Sequence, residues 1–159
     1  MIGIGLLASA GGGTLFALKL GEKDMEGANR AFGNAFSYVL ILELVVTVLL
    51  LLIGQKFLRL LGASDVVYPM AKQYYDIVVF GSVFQGLTFV LNDFTRVSGK
   101  VFLALLITGS GAIVNIILDA IFVIGFGWGV QGAALATVIG QVISTLIGLW
   151  VIFGRKTIL

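Results

Sequence analysis

The sequence predicts an all-α, polytopic membrane helix bundle, and three observations carry that prediction. The 159 residues are 59% hydrophobic and only 11% charged, with a mean hydropathy of +1.12, whereas a soluble domain carries about 25% charged residues. The apolar residues gather in five stretches of about 18 to 25 residues, each long enough to cross a hydrocarbon core as a helix. A barrel strand needs only about 10 alternating residues, so runs of this length argue for helices.

The first stretch spans Met1–Leu18 and gives way to a polar segment from Lys19 to Arg30, where Gly21-Glu22-Lys23-Asp24 is too charged to remain in lipid. The second runs over Phe32–Ile53. Gly62-Ala63-Ser64-Asp65 supplies turn residues, and Pro69 suits the first turn of the third, Val67–Leu91. The fourth covers Val101–Ile124 and the fifth Gly129–Phe153, joined tightly through Gly125–Gly129.

Alternating spans place Lys19, Lys23, Arg30, Arg96, Lys100, Arg155 and Lys156 on one side of the membrane, against Lys56, Arg59 and Lys72 on the other. The richer side is expected to be cytoplasmic, which puts the N-terminus outside and the C-terminus in the cytoplasm of a cell (plasma or inner) membrane. Met1 opens directly into an apolar run with no basic region before it, so this is not a signal peptide. A chain starting inside a span on the outer face reads as one that lacks an upstream helix.

Composition removes whole classes of chemistry. There is no His and no Cys, which excludes disulfide frameworks, thiol nucleophiles, His–metal sites and serine–histidine triads. Ten Lys/Arg against eight Asp/Glu leave a net charge of +2, so the pI of 9.0 does not point to nucleic acid. Gly127-Trp128-Gly129-Val130-Gln131-Gly132 matches G-x-G-x-x-G, but no strand precedes it and no acidic residue follows about 20 positions later. Ser98-Gly99-Lys100 lacks the rest of a phosphate loop, and Gly11-Gly12-Gly13 suits close packing. Glu43 and Asp76 are the only conceivable acid dyad, with nothing else to support it. No enzyme and no cofactor are expected.

Polar residues inside the spans are therefore the informative ones. Span five carries a small residue at every fourth position, Gly132, Ala136, Gly140, Ser144 and Gly148, a ladder that lets helix backbones approach closely. Beside it Ala133, Thr137, Gln141 and Thr145 form a hydrogen-bonding stripe expected to face protein or water. Span four aligns Thr108, Ala112, Asn115 and Asp119 on one face. Spans four and five are antiparallel neighbours. Asp119 lies about 9 Å from Gly125, and Thr137 about 12 Å from Gly129, so Asn115, Asp119 and Thr137 are expected to meet in the outer half of the membrane. Tyr74 and Asp76 are expected at a comparable level. A carboxyl at that depth is costly unless paired or hydrated. Asp119 is either a group that binds and releases a proton, a helix cap, or a structural partner of Asn115. Glu43, about 16 Å into span two, is either a second protonatable group or a neutral structural one. Gln85 and Asn92 read as interhelical bonds and a helix end, and Arg96 and Lys100 as interfacial anchors.

Several segments together carry a family resemblance: Leu20-Gly21-Glu22-Lys23-Asp24, Phe57-Leu58-Arg59-Leu60-Leu61-Gly62-Ala63, Val90-Leu91-Asn92-Asp93-Phe94-Thr95-Arg96-Val97-Ser98-Gly99, Asn115-Ile116-Ile117-Leu118-Asp119 and the run from Gly125 to Thr137. Through these, nearly end to end, the chain resembles the N-terminal lobe of the multidrug and toxic compound extrusion (MATE) transporters. The resemblance implies that residues 1–159 are a single partial lobe equivalent to helices two to six of a twelve-helix, two-lobed exporter. It implies export of small cationic or amphipathic organic compounds, coupled to H+ or Na+. Asn115, Asp119 and Thr137 fall on three positions that line a cation-linked cavity in the family, with Tyr74 on a fourth, and any Na+ would sit at Asp119 and Asn115. The family's first helix and its second lobe have no counterpart, so a second lobe or second copy is required for alternating access. Ala120 stands where the family often has proline, and Asp93 and Val97 replace the commoner Asn and Ala. Two alternatives remain: a lipid-linked oligosaccharide flippase of the same superfamily, and a non-transporting fragment or assembly subunit that pairs through the span-five ladder.

Overall fold

The structure, a computed structural model, describes residues 2–154; Met1, Arg155 and Lys156, which entered the sequence reading, lie outside the described residues. Five helices make the fold: α1 (Ile2–Gly21), α2 (Met25–Leu60), α3 (Tyr68–Val97), α4 (Val101–Asp119) and α5 (Gly129–Leu149). Wider π-helical turns continue α4 over Ala120–Gly125 and α5 over Trp150–Gly154. All five are long and apolar enough to cross a membrane, and no strand occurs among the described residues. The chain is a multi-pass, all-α membrane protein.

The polar segment expected from Lys19 to Arg30 is mostly helical, a difference with a local cause. Asp24 caps α2 by accepting the Gly27 N–H at 2.8 Å, and that bond holds its carboxyl below the usual carboxylate range. Lys19 pairs with Glu22 at 2.8 Å and Asp24 at 3.4 Å, so the charges close a turn of three residues between the α1 and α2 bounds. The second helix also overruns its apolar stretch, continuing to Leu60. Gly62, at φ +88°, turns the chain where a side chain would be strained, and Pro69 sits in the first turn of α3 as its fixed φ favours. Arg59 spans this loop, pairing with Asp65 at 2.5 Å and lying 4.4 Å over the Tyr68 ring. Between α4 and α5, Gly127 (φ +68°) lets Phe122, Phe126 and Trp128 stack at 5.1 to 6.2 Å.

The third helix is the axis of the bundle and touches the other four. Of its span 56% is buried, against 17% for the spans of α2 and α4; the latter turn Leu, Ile, Val and Phe outward, as lipid-facing helices do. The main core lies where α1, α2, α3 and the end of α5 converge. Phe94 meets Phe16 at 4.9 Å and Phe32 at 5.3 Å, and Phe153 closes on Phe32 at 6.1 Å. Val90, Leu91, Val151 and Ile152 fill the space around these rings.

The small-residue ladder is used within the chain. Gly132 backs onto Phe122, Gly140 onto the Gly111 backbone and Gly148 onto Leu91, while Ala136 and Ser144 are buried. This corrects the expectation that the ladder is the surface that pairs with another chain. The ladder closes α5 onto α3 and α4, so it presents no free face to another chain.

Candidate functional site

Three polar stripes converge because two glycines remove the spacing between α4 and α5. A β-carbon added to Gly140 would lie 2.7 Å from the Gly111 carbonyl oxygen and 3.2 Å from the Asn115 β-carbon, so the backbones are in direct contact there. Asn115 is thereby carried against α5, where its Nδ2 donates to Thr137 Oγ1 at 3.5 Å. The Thr137 hydroxyl itself donates to the Ala133 carbonyl at 2.9 Å. Along α5 the same stripe continues onto α3. Gln141 Nε2 donates to Gln85 Oε1 at 3.4 Å, Thr145 and Thr88 hydroxyls meet at 2.9 Å, and Thr145 reaches the Phe84 carbonyl at 2.9 Å. The stripe expected to avoid lipid does so by bridging helices.

These residues enclose an open cavity of about 330 Å³ between α3, α4 and α5, within the range of small-molecule sites. Its walls are Gln85, Thr88, Phe89, Asn92 and Arg96 from α3, Thr108, Gly111, Ala112 and Asn115 from α4, and Thr137, Gly140, Gln141 and Ser144 from α5. Asn92, read as a helix end, lies inside α3, and its Nδ2 donates across to the Ala104 carbonyl of α4 at 2.6 Å. Arg96 stands at the end nearest the α3–α4 turn and donates to Asp93 at 3.0 Å, so its charge is already partly balanced. The rest of the lining is neutral: amides, hydroxyls, small residues and one phenyl ring. Such a wall offers hydrogen bonds and an aromatic face to an amphipathic guest.

Asp119 lies one helical turn beyond Asn115, outside that lining, where regular α4 passes into the π-helical stretch beginning at Ala120. Its Oδ1 is buried and has no hydrogen-bond partner. The Asn115 amide is directed to Thr137, and Asp119 makes no capping bond to the turn that follows it. Neither bland reading of this carboxyl is therefore realised as a hydrogen bond. Single π-turns inside α-helices recur at functional sites.

The other sequence candidates lie apart. Tyr74 is 41% exposed and lines a separate apolar cavity of about 550 Å³ with Leu58, Val67, Met70, Val78 and Val130. Thr137 instead lies deeper in the bundle, next to the Val138 that packs on Gly81. Seven residues of α3 separate Gly81 from Tyr74, about 10 Å of helix, so Tyr74 stands clear of the Asn115–Thr137 pair. Asp76 is paired with Lys72. Glu43 is buried on another face of α3, against Gly86. Thr88, Phe89 and Gly111 are the wall residues that the sequence reading did not single out. The signal for Thr88 was the Gln85, Thr88, Asn92, Arg96 stripe, spaced by three or four residues.

Comparison with known proteins places this geometry in a family. The MatE family model matches residues 1–121. The multidrug export protein MepA of Staphylococcus saprophyticus subsp. saprophyticus is 32% identical over 148 residues, covering 92% of this chain and 32% of that protein. The MepA of Staphylococcus haemolyticus is 31% identical over 156 residues, 98% of this chain and 34% of its own length. A crystal structure of a MATE protein in the bent conformation superposes with a TM-score of 0.92 at 28% identity, over 98% of this chain and 35% of the other. A multidrug resistance MATE transporter of the MOP superfamily matches in its inward-facing form with a TM-score of 0.87, at 28% identity over 98% of this chain and 36% of the other. An outward-facing structure of such a transporter matches at 0.86, with 29% identity over 99% and 36%. The chain thus spans about a third of the length of the relatives it matches.

Proposed function

The chain belongs to the MatE family, and from that premise we propose that it is a partial lobe of a multidrug efflux transporter that exports small cationic or amphipathic organic compounds by cation-coupled antiport. The observation that carries the reading is the buried, unpartnered Asp119 oxygen one turn from the Asn115–Thr137 bond, just outside a cavity whose wall is neutral except for the paired Arg96. A neutral cavity accepts the polar and aromatic parts of a guest, and the nearby carboxyl supplies the negative charge that either a cationic guest or a coupling ion, H+ or Na+, requires. Asn115 and Thr137 would offer further oxygens to Na+. When the coupling ion neutralises Asp119, the attraction that holds the guest is lost and the guest is released. Tyr74 has the role of an outer apolar contact rather than a partner of Asp119.

Alternating access needs two lobes rocking about a shared site, so a second lobe or a second copy of this chain completes the transporter. The near-equal likeness to inward- and outward-facing relatives supports a lobe that moves largely as one body. The richer basic side, carrying Lys19, Lys23, Arg30, Arg96 and Lys100, faces the cytoplasm. A lipid-linked oligosaccharide flippase calls for a more basic cavity, and Arg96 is the one charged side chain on this wall among the described residues.

The test is efflux of a fluorescent cationic dye from vesicles containing this chain, alone and joined to a complementary lobe, with Asp119→Asn alongside. Gradient-driven efflux that falls at least about tenfold in the variant, a loss of about 1.4 kcal/mol or more of coupling, is the expected result. Coupled export unaffected by Asp119→Asn in the two-lobed form would remove Asp119 from the mechanism.

A further inference from the structure

On the far side of α3 from the polar cavity, the same bundle buries a second carboxyl. Glu43 of α2 is 0% exposed, and neither of its carboxyl oxygens has a hydrogen-bond partner. We propose that Glu43 is a proton-binding site separate from the Asp119 group, and that its neutral, protonated form is what allows α1, α2 and α3 to close on one another.

The packing around it is tight and built from glycine. A β-carbon on Gly86 of α3 would lie 2.6 Å from Glu43 Oε1 and 2.8 Å from its Cγ, so the side chain rests on bare α3 backbone. From α1, a β-carbon on Gly5 would stand 3.5 Å from the Gly86 carbonyl oxygen and 3.1 Å from the Phe89 β-carbon. Three helices therefore meet at the level of this one carboxyl. One turn along α2 and α3, buried Thr47 and Ser82 hydroxyls lie 3.4 Å apart. One turn along α1, the Ser9 hydroxyl is buried without a partner. The result is a polar seam in which Glu43 is the one ionisable member and the rest are hydroxyls.

Among the described residues, no cationic side chain faces the carboxyl from any helix packed on it. On α1 the one ionisable side chain is Lys19, about 21 Å along the helix from Gly5 and already paired with Glu22 and Asp24. On α3 the nearest are Asp93 and Asp76, about 10 and 15 Å from Gly86, paired with Arg96 and Lys72 respectively; Tyr74, Tyr75 and Tyr68 lie beyond. On α2 itself Tyr38 is exposed, and Glu26, Arg30, Lys56 and Arg59 lie toward the ends. A carboxylate with neither counter-ion nor hydrogen bond is not sustained in such a place, whereas the neutral acid is far less costly. A metal ion needs several oxygens around it, and no cluster of three acidic ligands occurs among the described residues. A proton needs no second ligand, and it is the cation that this carboxyl binds by itself. Ionisation then has to open the seam to water, and re-protonation closes it.

The test uses this chain reconstituted in lipid bilayers, and its lack of cysteine makes single-cysteine probes clean. Infrared difference spectra between Glu43→Gln and the parent should show a protonated-carboxyl C=O band lost in the variant and retained in Asp119→Asn. That retention keeps the result independent of the transport reading. In parallel, maleimide labelling of Ser9→Cys, normalised to lipid-side Leu7→Cys, should rise several-fold from mildly acidic to alkaline pH and stay flat when Glu43→Gln is added. Superimposable spectra with and without Glu43, or the same labelling profile in Glu43→Gln, would each overturn the proposal. If Glu43→Gln fails to insert, Gly86→Ala keeps the acid but crowds it, and a carboxyl band that does not shift in that variant overturns it equally.

Discussion

Thr145 shows how one hydroxyl holds two helices together in this bundle. It meets the Thr88 hydroxyl at 2.9 Å, and its own oxygen lies 2.9 Å from both the Phe84 and the Gln141 carbonyls. With a single proton to donate, it serves one carbonyl at a time and accepts from Thr88. Thr145→Val removes every one of these links, while Thr88→Val removes only one. Interhelical hydrogen bonds in membranes are worth about 0.6 kcal/mol on average and about 1.7 at most. Thr145→Val should therefore destabilise the chain toward the upper figure and Thr88→Val toward the lower, as measured by unfolding in mixed micelles. A reversed order would show that Thr145 is not the hub. Thr145 was visible in the sequence through the four-residue spacing of Thr137, Gln141 and Thr145 on an apolar helix. Thr88 was legible only as one member of the Gln85, Thr88, Asn92, Arg96 stripe, and its partner 57 positions away was not legible at all. Tyr74 shows the same limit: counting residues from a span end gives depth only when the helix starts are aligned.

At the level of elements, the closest approach belongs to α4 and α5. Gly111 and Gly140 stand backbone to backbone, and a methyl group at Gly140 meets a carbonyl oxygen that cannot swing away. Gly140→Ala should cost about 1 to 3 kcal/mol, the usual range for overpacking. It should also pull Asn115 off Thr137, because the new β-carbon crowds the Asn115 side chain. Gly109, two residues before Gly111, has nothing within 4 Å of a β-carbon, so Gly109→Ala should stay within about 0.5 kcal/mol of the parent. Thermal unfolding of the two variants side by side checks both, and equal effects would contradict the contact. The ladder Gly132, Ala136, Gly140, Ser144, Gly148 announced close packing from sequence alone. What it packed on was not legible, since small-residue spacing is the same for an internal seam and for an interface between chains. The helix ends were misjudged where charge was taken to end a helix. Lys19, Glu22 and Asp24 neutralise one another across a single tight turn, and so allow α1 and α2 to run closer together than their composition suggested.

For the whole molecule, the orientation rests on charge and can be argued without the C-terminal residues. Lys19, Lys23, Arg30, Arg96 and Lys100 gather at the α1–α2 and α3–α4 ends, whereas Lys56, Arg59 and Lys72 flank the α2–α3 loop. At that loop Arg59 is held by Asp65 and Lys72 by Asp76. Acidic partners contribute little to the positive-inside rule, so the contrast to weigh is the number of basic groups on each side, and it favours a cytoplasmic α1–α2 turn. On that count the proposed orientation has the α2–α3 loop and the α4–α5 turn outside, Asp119 nearer that outer end and Arg96 at the inner mouth of the cavity. A membrane-impermeant maleimide applied to intact cells should label Ser64→Cys in the α2–α3 loop and spare Lys23→Cys until the membrane is permeabilised. The opposite pattern would invert the cavity, placing Arg96 at the outer face and Asp119 toward the cytoplasm. Equal labelling of both from one side would instead mean that α2 does not cross the bilayer at all. In the proposed mechanism the orientation would also set which gradient Asp119 senses, because a carboxyl nearer the outer surface is loaded from outside when the lobe faces that way. That order, ion in from outside before guest out, is the one the proposed antiport requires.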